Sequence, residues 1–242
     1  MLPTVDLGPV TLPTASLVII LGIWISLSLV ERAAARLHLD VPRTYTMAVA
    51  AVGAGFVVAR LAFVGLRWDA YRENLIGIVW PLNSGYELEA GLVAALATAF
   101  FYARANRLPP AATLDALAPG LLAGLLTVSL ADFLAGPGFG EPADLFWSIN
   151  LFGVRRHPVQ IYEIVAGILA LVAWLRALRA GLSPGLPFLV AAATYSAGRL
   201  VSDAYRANAL LTTGGYHIVQ IASLGVLLAS LWLLSRQTAA AD

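Results

Sequence analysis

Cysteine and lysine are both absent from the 242 residues of this chain, and all 15 basic residues are arginines. Without cysteine the chain forms no disulfide, offers no thiolate nucleophile and binds no metal through sulfur. Without lysine it forms no Schiff base. The three histidines, His38, His157 and His217, are too far apart in sequence to predict a metal site.

Charge is also scarce. Only 12% of the residues are charged and 60% are hydrophobic, whereas a soluble domain carries about 25% charged residues. So little charge cannot cover a surface that faces water, which excludes a soluble globular fold. The net charge of +1 is too balanced to indicate a nucleic-acid partner.

Apolar stretches long enough to cross a bilayer recur along the whole chain. A spanning helix needs about 20 mostly apolar residues, and seven stretches qualify: 14–31, 45–66, 86–104, 117–135, 159–178, 185–204 and 216–235. No basic residue precedes the first stretch, so we expect it to be a retained helix and not a cleaved signal. The sequence predicts an all-α polytopic membrane helix bundle of about seven transmembrane helices, forming a single integral membrane domain over 1–242.

The arginines between the spans predict the orientation of the bundle, because cytoplasmic loops are enriched in basic residues. One side of the predicted membrane carries eight of these arginines: Arg32, Arg36, Arg43, Arg104, Arg107, Arg176, Arg179 and Arg236. The other side carries five: Arg67, Arg72, Arg155, Arg156 and Arg206. We expect the N-terminus outside and the C-terminus in the cytoplasm. The short apolar runs at 75–80 and 145–152 are then interfacial or re-entrant segments of outer loops.

Seven ionisable residues fall inside or at the ends of the predicted spans: Arg60, Glu87, Glu89, Asp132, Glu163, Arg199 and Asp203. An ionised group at the bilayer centre costs at least about 2.5–3.5 kcal/mol, so such groups face the bundle interior and pair with one another. They indicate a functional cavity, and the alternative is a set of ion pairs that only fixes helix packing.

Tyr195, Arg199 and Asp203 are spaced at i, i+4 and i+8 on the sixth span. This spacing places a phenol, a guanidinium and a carboxylate along one helix face. The functional interpretation is an anion-binding arginine oriented by its neighbours. The structural interpretation is an ion pair inside the bundle.

The stretch RRHPVQIYE enters the fifth span. Steps of three keep His157, Gln160 and Glu163 near one helix face. Arg155 and Arg156 stand before them, where guanidinium groups suit a phosphate headgroup. In the structural alternative the two arginines anchor the helix at the interface, and Glu163 pairs with an intramembrane arginine.

Three acids belong to the third and fourth spans. Glu87 and Glu89 begin the third span, but two residues on a helix diverge by about 200°, so they do not act as one carboxylate pair. Asp132 lies late in the fourth span with no local counter-ion, so we expect it either to be buried in its neutral form or to pair with an arginine of another helix.

RRHPVQIYE resembles the Arg-His-Pro-x-Gln-x-Tyr-Glu motif of the prolipoprotein diacylglyceryl transferase family. Further stretches resemble the family in the same order: 58–61, 114–119, Tyr195 with Arg199 and Asp203, and 216–225. The resemblance extends over about residues 45–230 and implies a seven-helix protein of the bacterial inner membrane. Such enzymes take diacylglycerol from phosphatidylglycerol and join it to the thiol of a lipobox cysteine in a prolipoprotein.

The resemblance implies a site without metal or cofactor whose partners are a phosphatidylglycerol-like phospholipid and prolipoprotein signal peptides. The expected catalytic residues are Glu89 as the base, Tyr195 and Arg199. The expected substrate-binding residues are Arg60, Arg155, Arg156, His157, Gln160, Glu163, Asp132 and Asp203.

The chain departs from the family pattern at four positions. Glu89 stands at the family's histidine and Ser129 at its arginine, while Asp132 and Pro137 replace an asparagine and a glutamate. Two alternatives therefore stay open. One is a divergent homologue that binds a lipid or peptide or acts on another lipid, and the other is a transporter, which the lack of internal repeats disfavours.

Overall fold

The computed structural model describes residues 4–7, 10–72, 75–79, 85–136, 138–151 and 153–239. The helices in this part of the chain are α1 (Thr14–Arg36), α2 (Val41–Leu66), α3 (Trp68–Tyr71), α4 (Ile76–Val79), α5 (Leu88–Ala105), α6 (Pro110–Ala135), α7 (Val159–Arg179), α8 (Leu186–Asp203) and α9 (Ile218–Ala239). Four short strands form two antiparallel hairpins: β1 (Thr4–Leu7) with β2 (Val10–Pro13), and β3 (Ile149–Leu151) with β4 (Val154–Arg156). Pro137 and the end of the 75–80 run lie outside the described residues.

Each of the seven predicted spans coincides with one long helix. The largest difference is in α6, which begins at Pro110 and not at residue 117. Proline is well tolerated in the first turn of a helix, because backbone N–H groups there have no carbonyl partner within the helix. The helix then continues through Pro119.

Six helices in the described part of the chain are long and apolar enough to cross a membrane: α1, α2, α5, α6, α7 and α9. This confirms the predicted all-α polytopic membrane fold. Helix α8 has 18 residues and contains Arg199 and Asp203, which lower its hydropathy. A seventh crossing, the orientation and the single domain over 1–242 stay predictions.

The surfaces of the helices fit a lipid environment. Large apolar side chains point outward, such as Trp24 on α1 at 66% exposure and Phe101 on α5 at 66%, whereas small ones lie inside. Buried alanines recur on α6, α7 and α8, namely Ala116, Ala118, Ala123, Ala131, Ala166, Ala170, Ala177, Ala191 and Ala193. Small residues allow close helix approach, which is how helices associate in lipid.

The described residues form two compact units, Met1–Leu29 with Leu114–Asp242 and Val30–Thr113. In the first unit α7 packs on α8, and α8 packs on α9. Gly198 of α8 lies so close to α7 that an added Cβ would be 2.3 Å from the Cβ of Ala166. In the second unit α2 packs on α5.

Asp115 connects three helices of the first unit. Its carboxylate is buried and accepts the backbone N–H groups of Gly185 at 2.6 Å and Phe188 at 2.8 Å, at the start of α8. Its backbone carbonyl accepts the indole N–H of Trp174 on α7 at 3.0 Å. A carboxylate at a helix N-terminus satisfies orphan N–H groups and opposes the helix dipole. Asp115 therefore sets where α8 begins.

We expect Asp115→Asn to lower the free energy of unfolding by about 2 kcal/mol, because hydrogen bonds to a charged acceptor contribute about 1.5–3 kcal/mol each and one acceptor oxygen is lost. The measurement is thermal unfolding of the purified chain in detergent. Asp69→Asn is the matched control, since the Asp69 carboxylate is exposed. Equal melting temperatures for the two variants would contradict this role.

Candidate functional site

Glu163 is the centre of a buried ion-pair cluster in the first unit. Its side chain is 4% exposed and lies one turn into α7. Its Oε1 accepts from the guanidinium groups of both Arg199 and Arg206, and its Oε2 accepts the Ser129 hydroxyl at 2.8 Å. One carboxylate thus joins α6, α7, α8 and the segment after α8.

Asp203 is the second carboxylate of this cluster and is 1% exposed. Its Oδ2 is 3.0 Å from Nδ1 of His217. Its Oδ1 lies 3.9 Å from Nη2 of Arg199 and 3.7 Å from Nε of Arg206. Among the described residues neither Oδ1 nor that Nε has a hydrogen-bond partner. The cluster therefore contains a buried acceptor and a buried donor that make no hydrogen bond among the described residues.

Asp132 and Tyr195 border the same cluster. Both are half-buried, and both interact electrostatically with Arg199, Arg206 and Glu163. Two guanidinium groups are therefore surrounded by the carboxylates of α6, α7 and α8. Among the described residues no arginine forms an ion pair with Asp132, so the arginine partner expected for it stays a prediction.

An aromatic pocket lies on the His157 side of this unit. Nδ1 of His157 is 3.1 Å from the Tyr162 hydroxyl, which accepts the indole N–H of Trp147 at 2.7 Å. The His157 ring also lies 4.5 Å from the ring of Tyr205. The cavity is about 290 Å³ and is lined by Leu145, Trp147, His157, Tyr162, Val201 and Tyr205.

Gln160 and His157 pack against a glycine-containing loop. The buried Gln160 amide donates to the carbonyl of Gly138. A Cβ at Gly138 would lie 3.1 Å from both Nη1 of Arg206 and Nε2 of Gln160. A Cβ at Gly140 would lie 2.3 Å from the backbone oxygen of His157. The absence of side chains at these two positions gives the site its shape.

Gly140→Ala is expected to lower the melting temperature and to reduce the activity of this site by about 100-fold, because the added Cβ meets the backbone of His157 and a displacement of about 1 Å in a site can cost that much. The measurements are thermal unfolding and the kinetics of the reaction at this site. Gly225→Ala is the control, since an added Cβ on α9 meets nothing within 4 Å. Equal kinetics for the two variants would refute this packing argument.

Arg155 and Arg156 lie on β4, in the hairpin before α7. Arg155 is half-exposed and pairs with Asp144 at 2.5 Å. Arg156 donates to the carbonyl of Gly140 at 3.1 Å and lies over the Phe139 ring at 5.0 Å. Arg156 thus holds the loop that shapes the site. The phosphate-binding role of both arginines stays a prediction.

Arg60 lies in the second unit, where it is buried on α2. Its guanidinium donates to the carbonyls of Gly77, Ile78 at 2.9 Å and Gly85 at 2.9 Å, and lies 3.5 Å from the Tyr71 hydroxyl. No carboxylate of the described residues is within ion-pair distance of it. Arg60 binds backbone oxygens of the segment between α2 and α5, and its predicted phosphate contact stays a prediction.

The two glutamates of the third predicted span have different surroundings, because only Glu89 lies on α5 and Glu87 precedes it. Glu87 precedes α5 and lies 3.7 Å from Nη1 of Arg67, while its backbone N–H donates to the Ala59 carbonyl. Glu89 is exposed in the first turn of α5. Its role as the base stays a prediction.

Three residues of the cluster were not among the predicted site residues: Arg206, His217 and Ser129. Arg206 continues the α8 spacing, three residues after Asp203, but the sequence places it in a loop among the arginines that set orientation. His217 directly precedes α9, and its contact with Asp203 depends on how the loop between α8 and α9 folds. Ser129 stands where the family has an arginine, and a lone serine gives no signal of its own.

The helices and the cluster define a multi-pass membrane protein with a buried ionic site built between its helices. The chain belongs to the prolipoprotein diacylglyceryl transferase family, whose sequence model matches residues 3–236. It is 28% identical over 246 residues to the phosphatidylglycerol–prolipoprotein diacylglyceryl transferase of Geobacillus kaustophilus, covering 95% of this chain and 90% of that protein. It is 26% identical over 245 residues to the protein of the same name from Thermosynechococcus vestitus, covering 96% and 91%.

Proposed function

We propose that this chain transfers the diacylglyceryl group of phosphatidylglycerol to the thiol of a lipobox cysteine in a prolipoprotein. It does so in the bacterial inner membrane and without a cofactor. Membership of the family and the names of its relatives support this activity. The single observation that carries it is the convergence of Arg199 and Arg206 on Glu163 inside the helix bundle.

The reaction is a substitution at carbon. The cysteine sulfur attacks the glyceryl carbon that bears the phosphate, so that a C–S bond forms while the C–O bond to phosphate breaks. The electron pair of that bond leaves with glycerol phosphate, and the thiol proton goes to a base. The phosphate has one negative charge as a diester and gains a second as it leaves. Groups that stabilise this added charge lower the barrier.

Arg199 and Arg206 are suited to stabilise the departing phosphate. A guanidinium has five N–H donors in a planar fork, and the contacts with Glu163 use Nη1 of Arg199 and Nη2 of Arg206. Nε of Arg206 is buried beside Asp203, so Nη2 of Arg199 and Nη1 of Arg206 are the groups left for phosphate oxygens. Glu163 and Asp203 hold the two planes in place, and the Tyr195 hydroxyl adds a donor beside Arg199.

The segment before α7 supplies the rest of the substrate site. The aromatic pocket beside His157 offers an apolar surface to part of the lipid, while Gln160 fixes the loop against which the lipid lies. Arg155 is the exposed cation of this segment and is placed to meet the anionic headgroup on entry. Asp132 limits the positive charge of the cavity, so that the leaving glycerol phosphate is not retained.

The test combines the purified chain with phosphatidylglycerol vesicles and a lipobox peptide. The expected result is a peptide heavier by one diacylglyceryl group in mass spectrometry. A peptide with serine in place of the lipobox cysteine is the control and should stay unmodified. Vesicles of phosphatidylethanolamine alone should give far less product. An unmodified cysteine peptide would refute the proposed function.

A further inference from the structure

His217 and Asp203 form a carboxylate–imidazole pair at the edge of the ionic cluster. Oδ2 of Asp203 is 3.0 Å from Nδ1 of His217. The Asp203 side chain is 1% exposed, whereas that of His217 is 25% exposed. The carboxylate is thus fixed in the interior, and the imidazole lies between it and the surroundings.

The contact with Asp203 determines which nitrogen of His217 has the proton when the ring is neutral. An ionised carboxylate only accepts hydrogen bonds, so the proton is on Nδ1 and the lone pair is on Nε2. Within the described residues Nε2 has no hydrogen-bond partner. A carboxylate that fixes the tautomer and leaves Nε2 open gives a histidine the geometry of a general base.

The charged groups that face this pair belong to the proposed phosphate site. Oδ1 of Asp203 lies 3.9 Å from Arg199 and 3.7 Å from Arg206, and both arginines bind Glu163. One carboxylate therefore contacts the imidazole through one oxygen and faces the two guanidinium groups through the other. The imidazole and the two guanidinium groups proposed to bind the phosphate are therefore neighbours of the same carboxylate.

We propose that His217 is the general base that deprotonates the acceptor thiol in this chain. The inference rests on the proposed function. The S–H proton moves to Nε2 while Asp203 stabilises the imidazolium, and the sulfur keeps the electron pair that forms the C–S bond. The imidazolium then gives its proton to the departing phosphate oxygen or to water, which restores the neutral ring.

His217→Asn tests this role, because the asparagine amide replaces Nδ1–H towards Asp203 and offers nothing at Nε2. At pH 7 we expect kcat for the lipobox peptide to fall about 100-fold with KM little changed, which is within the usual contribution of a general base. The deficit should shrink above pH 9, where a thiol of pKa about 8.5 ionises by itself. A purely structural role would give the same deficit at both pH values.

His38→Asn is the matched control and should keep full activity, since His38 is exposed and has a positive φ of 55° that asparagine tolerates. His217→Ala with added imidazole is the second variant, and rescue of its turnover is expected. If His217→Asn is as active as His38→Asn, the role of His217 as the base is overturned, while the proposed function stands. The same holds if Glu89→Gln loses activity and His217→Asn keeps full activity. No transfer by the unmodified chain would refute the proposed function and this role with it.

Discussion

Arg199→Lys is expected to lower kcat/KM for transfer to a lipobox peptide by about 10³-fold, the usual cost of losing a donor that stabilises transition-state charge. Arg199 is 16% exposed and lies between Glu163 and Asp203. A planar guanidinium can contact both carboxylates and still direct N–H groups towards a phosphate. A lysine ammonium is a compact point charge and cannot keep these directions. The measurement is the initial rate of peptide modification at varied phosphatidylglycerol.

Arg176→Lys is the control for this substitution, because Arg176 is exposed in the last turn of α7. Its rate should stay within about twofold of the unmodified chain, as surface substitutions away from special features have small effects. A rate for Arg199→Lys equal to that of Arg176→Lys would contradict the phosphate role of Arg199.

Glu163→Gln is expected to lower the free energy of unfolding by about 3–5 kcal/mol, because breaking a buried ion pair leaves uncompensated charge. Two guanidinium groups bind this single carboxylate. Replacing the carboxylate by a neutral amide therefore leaves the positive charge of both groups less compensated. We also expect transfer to fall at least about 100-fold, since the two donors lose their orientation. Thermal unfolding in detergent and the peptide assay measure the two effects.

Glu31→Gln is the control for Glu163→Gln, as Glu31 is exposed on α1, and it should change neither quantity. Combining Glu163→Gln with Arg206→Gln adds a double-mutant cycle. Residues that share one ion-pair network couple by about 0.5–3 kcal/mol, so the double variant should be more stable than the sum of the single losses predicts. Strict additivity would show that the two side chains act independently.

The sequence predicted the helices well because their signal is local. Each apolar stretch satisfies its own backbone hydrogen bonds, and bilayer thickness sets its length. The start of α6 was missed because the contacts that stabilise its first turns are not local. Asp115 is needed there to bind the N-terminus of α8, 70 residues further along the chain. Hydropathy alone does not detect such a contact.

The candidate site was predicted in part for the same reason. Arg199, Asp203 and Glu163 lie within regular helices, where spacing defines a face and buried charge is costly. Arg206 and His217 lie in the segment that connects α8 to α9, where no periodicity relates one side chain to another. Their contacts with Glu163 and Asp203 depend on how that segment folds back.

Arg60 illustrates a different limit of sequence reasoning. A lone arginine inside a predicted span indicates a buried anion or carboxylate partner. Its partners are instead the carbonyls of Gly77, Ile78 and Gly85. Every residue has a backbone carbonyl, so the sequence does not identify which carbonyls bind Arg60.

Transfer by this chain is tested by following both products of the reaction at once. The purified chain is given phosphatidylglycerol with a labelled glycerol headgroup and a lipobox peptide, and the modified peptide and released glycerol phosphate are counted over time. We expect one labelled glycerol phosphate for each diacylglyceryl-modified peptide, and loss of both products in Arg199→Lys. A peptide that stays unmodified, or one that gains a fatty acyl group without release of glycerol phosphate, would contradict diacylglyceryl transfer by this chain.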